Sequence, residues 1–138
     1  ESNITYTYAD GTVVHCGNKN RGAITFIGEE GTVYVTRGKI ETTPTELATT
    51  VWTDKDIKLY TSPGHHNDWL NCIKSRKNPI CDVEIGHRSA TVCHLGNISM
   101  RVGRTLTWDP VKETIVGDDE AAKRLTYDYR SPYVMPTI

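Results

Sequence analysis

The first 60 residues alternate apolar and polar positions with a period of two, which is the pattern of half-buried β-strands. Asp10-Gly11 and residues 29–31 (EEG) each separate two such runs and are typical of hairpin turns. The Thr-rich segment at residues 42–50 predicts a surface loop. The runs that predict strands cover residues 4–8, 12–16, 23–27, 32–36 and 57–60.

After residue 64 the apolar positions recur every three and four residues, which indicates helices. Residues 65–76 place Trp69, Cys72 and Ile73 along one stripe, and Pro79 stops this first helix. The first helix is therefore expected to bury one side only.

A second helix is predicted over residues 86–102, after an extended linker at residues 80–85. Its apolar side carries Leu95 and Ile98, and Gly103 caps its end. We expect this helix to be central to the core.

The remaining pattern predicts a strand at residues 105–108 and a short helix that Asp118 or Asp119 caps and that ends at Leu125. Strands first, then helices, then a further strand predict an α+β fold: an open antiparallel or mixed β-sheet with helices packed on one face. The length of 138 residues suits one domain, so residues 1–138 are expected to form a single domain.

Composition and charge exclude several classes of function. The chain is 37% hydrophobic and 24% charged, which is typical of a globular protein rather than a disordered one. A net charge of −1 offers no basic surface for nucleic acid. No apolar run reaches the roughly 18 residues that a membrane-spanning helix needs. We therefore expect neither nucleic acid nor a membrane among the partners.

The chain lacks the glycine-rich turns that hold phosphate groups. A dinucleotide site needs G-x-G-x-x-G after a strand and at the start of a helix, because backbone N–H groups there meet the pyrophosphate. No stretch of the sequence fits that pattern, and no P-loop is present. No cofactor is therefore expected in this chain itself.

The cysteines and histidines do not predict a metal site. The four cysteines form no C-x-x-C pair and are expected to be free, mostly buried thiols. His15-Cys16 and Cys93-His94 are adjacent pairs, and adjacent side chains diverge on a strand or a helix, so one pair rarely supplies two ligands.

His87 and Arg88 are the candidate substrate-binding residues. They lie at the start of the predicted second helix, where backbone N–H groups favour an anion. Arg88 can add a bidentate contact to a carboxylate or phosphate. The alternative is helix capping and a surface ion pair. Ser89 beside them is expected to pack within the helix, since a Ser–His hydrolase needs its nucleophile on an exposed turn.

Several motifs resemble the C-terminal domain of bacterial-type Gfo/Idh/MocA oxidoreductases. The most specific is GHRSATVCHLGNIS at residues 86–99, followed at a fixed distance by GRTLTWDP at residues 103–110. The remaining matches are GAITFIGEEGTVYVTRG at residues 22–38, ETIVGDDEAAKRL at residues 113–125 and YRSPY at residues 129–133.

The resemblance implies the substrate-side and oligomerisation domain of an NAD- or NADP-dependent enzyme. Such a domain follows an N-terminal Rossmann domain, which binds the cofactor, and the substrates are sugars, inositols or related polyols. Because the chain starts at Glu1 inside a strand-like run, we interpret it as a fragment that lacks the Rossmann domain and is inactive alone. The alternatives are a stand-alone binding or assembly module and a domain of an NAD-dependent glycosidase of the same superfamily.

The departures from the family pattern prevent any carry-over of catalytic residues. The family's catalytic Lys-Pro pair and its G-x-x-x-D-x-x-x-H helix are both absent here. The sequence also leaves open the substrate, the choice between NAD and NADP, the oligomeric state, and a location in the bacterial cytoplasm or periplasm.

One face of the predicted sheet is a candidate surface for a homo-oligomer. In the strand at residues 32–36, Val33 and Val35 share one face, and the second face carries Thr32, Tyr34 and Thr36. Thr and Tyr can bury area while their hydroxyl groups stay hydrogen-bonded. We expect this second face to contact another copy of the chain, as the resemblance also implies.

Overall fold

The computed structural model describes residues 3–17 and 22–135. The chain forms two compact units, Glu1–Ile80 and Cys81–Ile138. Antiparallel strands and separate helices confirm the predicted α+β fold. None of the helices within the described residues is long and apolar enough to cross a membrane.

The first unit contains a hairpin and a three-stranded antiparallel sheet. Thr12 N donates to Asp10 Oδ1 at 2.9 Å and Gly11 has a φ of 88°, which together form the predicted hairpin turn. The elements of this unit are β1 (Ile4–Thr7), β2 (Val13–Cys16), β3 (Ala23–Gly28), β4 (Gly31–Thr36), β5 (Lys39–Thr43), a 3₁₀ turn (Thr45–Thr49) and α1 (His65–Ser75).

Two predictions in this unit are wrong. Residues 42–50 are not only a loop, because β5 pairs with β4 as far as Thr43 and a 3₁₀ turn follows. Residues 57–60 form no strand. Tyr60, the last of these residues, instead contacts α1, because its Oη donates to Asp68 Oδ1 at 2.7 Å. Asp68 is buried and also accepts from Ile80 N at 3.1 Å, so its carboxylate ties together three separate points of the unit.

The second unit is arranged around a long helix that begins earlier than predicted. It consists of α2 (Val83–Val102), β6 (Trp108–Asp109), β7 (Thr114–Ile115), α3 (Asp119–Ala122) and a 3₁₀ turn (Lys123–Leu125). Asp82 caps α2 by accepting from Ile85 N at 3.0 Å, so the predicted extended linker at residues 80–85 is wrong. The predicted end is confirmed, because Gly103 adopts a φ of 70° directly after the helix.

The core of this unit is formed by α2, the β6–β7 hairpin and α3. Ile98, Ile115 and Ala121 are buried and in contact. Leu95, Leu106 and Trp108 are among the half-buried side chains that pack against them. The hairpin continues beyond β6 and β7, since Val116 N donates to Thr107 O at 2.8 Å. The predicted strand at residues 105–108 is thus shifted, and only Trp108 of it lies in β6.

The cysteines are free, as predicted, but they are not mostly buried. Cys16, Cys81 and Cys93 are exposed and Cys72 is half-buried. The reason is local: Cys16 lies in the exposed strand β2, and Cys93 lies on a side of α2 that the core does not cover.

Candidate functional site

One face of α2 forms a wall of an open groove of about 820 Å³ within the second unit. The side chains on this wall recur at helical spacing, as in His87, Thr91, His94 and Ile98. The facing side comes from Trp108, Glu113 and residues 123–127. The groove therefore combines apolar and aromatic side chains with four charged ones: Arg101, Glu113, Lys123 and Arg124.

His87 lies in this groove and is paired with the carboxylate of the β6–β7 hairpin. His87 Nε2 and Glu113 Oε1 are 2.8 Å apart, and both side chains are nearly half exposed. Nδ1 of His87 has no hydrogen-bond partner within residues 3–17 and 22–135. The pair holds the imidazole by one nitrogen and leaves the other for a ligand.

Arg88 is occupied by acceptors of the protein itself. Its Nε donates to Glu84 Oε1 at 2.7 Å, and its Nη1 donates to the carbonyl of Pro110 at 3.0 Å and lies 3.2 Å from Glu113 Oε1. Arg88 therefore joins α2 to the hairpin turn, and it is not among the residues that line the groove.

The prediction of an anion at Arg88 assumed that Arg88 lies at the start of a helix. Because α2 begins at Val83, that reason no longer applies. Arg88 lies in the second turn, whereas the first-turn N–H of Ile85 is already capped by Asp82. Of the two predicted site residues, only His87 thus faces the groove, and Arg88 contacts the partner of His87.

Glu113 was not anticipated from the sequence, because 26 residues separate it from His87. The hydrogen bond from His87 lowers the pKa of the Glu113 carboxyl, and the charges of His87 and Arg88 add to this effect. Glu113 also has a φ of 51°, in the left-handed region that favours glycine. A charged residue at a strained position beside a groove is a signal of function that only the folded backbone shows.

Arg104 forms a second cluster that sequence reasoning missed. Its Nε and Nη2 donate to the two carboxylate oxygens of Asp118 at 2.7 and 2.8 Å, and Nη2 also donates to Glu120 at 2.8 Å. Hydrogen bonds from Arg104 and from the backbone of Ala121 lower the pKa of Asp118 to about 2. With its donors used inside the protein, this cluster is a structural clamp on the start of α3.

No group of three or more His, Cys, Asp or Glu side chains able to hold a metal ion occurs among the described residues. Ser89 Oγ donates to the carbonyl of Ile85 at 2.8 Å, the helix-packing role that its position predicts.

The described residues form an α+β fold with an open groove in the second unit. The family model described as "Oxidoreductase family, C-terminal alpha/beta domain" matches residues 2–135. The chain therefore belongs to the Gfo/Idh/MocA oxidoreductase family, as a C-terminal domain, and the resemblance seen in its motifs is confirmed. Searches of curated proteins and of solved structures gave no significant match.

Proposed function

We propose that residues 1–138 form the substrate-side and oligomerisation domain of an NAD- or NADP-dependent oxidoreductase that acts on a sugar, inositol or related polyol. The observation that carries this proposal is the family match over residues 2–135. The cofactor is assigned to an N-terminal Rossmann domain, because this chain has no glycine-rich turn of the kind that binds a dinucleotide.

The groove of the second unit is the proposed substrate surface. His87 contacts the substrate directly, and Arg88 contributes by binding Glu113 and the carbonyl of Pro110. Trp108 and Tyr127 supply aromatic surface in the same groove, and an apolar ring face suits the C–H faces of a sugar or inositol ring. A polyol fits this mixture of aromatic and hydrogen-bonding groups.

The test is an oxidation assay on the protein produced together with its Rossmann domain. Reduction of NAD⁺ or NADP⁺ is followed with inositols, aldoses and simple alcohols as substrates. We expect His87→Ala to raise KM for the active polyol by about threefold to tenfold, the loss of roughly one hydrogen bond. Met100→Ala, on an exposed part of the same helix, is the matched control and is expected to leave KM unchanged.

Calorimetry on the 138-residue chain supplies the complementary test. We expect no binding of NAD⁺ or NADH by this chain alone. Micromolar binding of either nucleotide, or a complete protein that oxidises no polyol, would contradict the proposed division of labour between the two domains.

A further inference from the structure

We infer that Glu113 is a positioning residue: its carboxylate holds His87 in the Nε2–H form, so that Nδ1 accepts a hydrogen bond from a hydroxyl group of a neutral polyol in the groove. The choice of ligand rests on the proposed function, whereas the state of the imidazole does not. The juxtaposition of one helix residue and one hairpin residue across the groove carries the inference.

The two ring nitrogens of His87 have different surroundings. Nε2 lies 2.8 Å from a carboxylate oxygen, which accepts and never donates when ionised, so Nε2 carries a proton. In the neutral ring the proton is then absent from Nδ1, which becomes an acceptor. An acceptor without a protein partner, on a side chain that lines the groove, is suited to an O–H donor.

The charges and hydrogen-bonding groups around His87 bear on the class of ligand. The groove is lined by the cations Arg101, Lys123 and Arg124 as well as by Glu113, so the choice between a neutral and an anionic ligand depends on what His87 itself can bind. Beside His87, Nε and Nη1 of Arg88 are bound to Glu84, Pro110 and Glu113. Glu113 itself brings a negative charge to this end of the groove, and the favourable pairs that lower its pKa keep it ionised. A hydroxyl group can donate to the acceptor Nδ1, whereas an ionised carboxylate has no proton to donate and a phosphate brings negative charge beside Glu113.

The side chain of Glu113 is not needed to form its turn. Asp109 Oδ1 accepts from the backbone N of Val111 at 2.9 Å and of Lys112 at 3.0 Å, so Asp109 already organises the turn. At a φ of 51°, glycine or asparagine suits position 113 better than glutamate does. Turn geometry therefore does not explain glutamate at this position, whereas the pairing with His87 does.

The experiment reads the tautomer of His87 directly. Long-range ¹H–¹⁵N correlation spectra of the labelled chain, at a pH where the ring is neutral, distinguish Nε2–H from Nδ1–H, and His87→Gln assigns the signal. We expect Nε2–H alone in the unaltered chain and a mixture with Nδ1–H in Glu113→Gly. Glu113→Asn, which also tolerates the left-handed backbone, is the second variant and is expected to behave in the same way.

Glu84→Gln is the matched control, because it removes a negative charge beside Arg88 and leaves the pair of His87 and Glu113 in place. We expect it to retain the Nε2–H form. A mixture of tautomers in the unaltered chain, or no change in Glu113→Gly, would overturn the positioning role.

Titration with myo-inositol, glucuronate and inorganic phosphate tests the ligand class on the same His87 signal. We expect myo-inositol to perturb it, with an affinity about threefold to tenfold lower in Glu113→Gly. A larger response to glucuronate or phosphate, or none to myo-inositol, overturns the assignment to a neutral polyol. The oxidation assay then decides separately whether the proposed function survives.

Discussion

Asp118 shows how much of the fold can depend on one carboxylate. Its side chain caps α3 by accepting from Ala121 N at 3.0 Å and pairs with Arg104 through both oxygens. The capping role was predictable, because an aspartate before a short helical run is a typical N-cap. The pairing was not, because Arg104 lies 14 residues earlier and only the path of the chain through the hairpin brings the two together.

The Asp118 pairing predicts a specific pH dependence of stability. The folded-state pKa of about 2 lies below the ordinary value of 3.8, so the stabilisation is complete above that ordinary value and is lost as the pH falls towards 2. We expect the unfolding free energy of the unaltered chain to exceed that of Asp118→Asn at about pH 7, and this difference to shrink in the acid range. Urea melts at a series of pH values measure it.

Asp119→Asn is the control for this series, because Asp119 is exposed and forms no described ion pair with Arg104. Its unfolding free energy is expected to keep the loss in the acid range that the pairing of Asp118 with Arg104 causes. A difference for Asp118→Asn that stays flat from neutral to acid pH would show that the ion pair does not stabilise the fold.

Helices and strands that end at a glycine turn or cap were predicted well, and those without such boundary residues were not. The turns at Gly11 and Gly31 and the cap at Gly103 placed β1 to β4 and the end of α2 close to their true bounds. The start of α2 was missed although Asp82 stands at the N-cap, because the weak alternation after it resembled an extended segment. The sequence also offered no sign that β5 had a partner strand, since Thr and Pro44 are equally typical of loops.

The core of the second unit depends on α2. Ile98 on α2 is 6% exposed and contacts Ile115 and Ala121, so Ile98→Ala is expected to cost about 2–5 kcal/mol of unfolding free energy. Leu95 is only half-buried, and Leu95→Ala is expected to cost less. Met100→Ala is the control on the same helix and should lie within about 0.5 kcal/mol of the unaltered chain. Urea melts in which Met100→Ala loses more unfolding free energy than Ile98→Ala does would contradict this placement of the core.

For the whole molecule, the sheet β3–β4–β5 raises the question of what covers it. The register places Thr25 and Glu41 opposite Tyr34, so the face with Thr32, Tyr34 and Thr36 is mostly polar. It also carries one exposed apolar side chain, Ile27, opposite Thr32. The opposite face carries Val33 and Val35 together with apolar side chains that are 59–66% exposed: Ile24, Phe26 and Ile40. The sequence correctly predicted which side chains of β4 lie on each face of the sheet. It does not identify the protein surface that packs on either face.

A second copy of the chain is the proposed partner for the polar face, and matched variants on the two faces test it. A lasting dimer needs about 1,200–2,000 Å² of buried surface in total, and Tyr34 near the middle of β4 is central to that area. A charge buried there without a partner weakens association strongly. We therefore expect Tyr34→Glu to convert the dimer to a monomer in light scattering at several concentrations, and Phe26→Glu, on the apolar face, to leave the dimer intact.

A chain that is monomeric at tens of micromolar, or a dimer that is lost only in Phe26→Glu, would exclude the Thr and Tyr face as the interface. In the second case, the apolar face with Ile24, Phe26 and Ile40 would be where the copies meet.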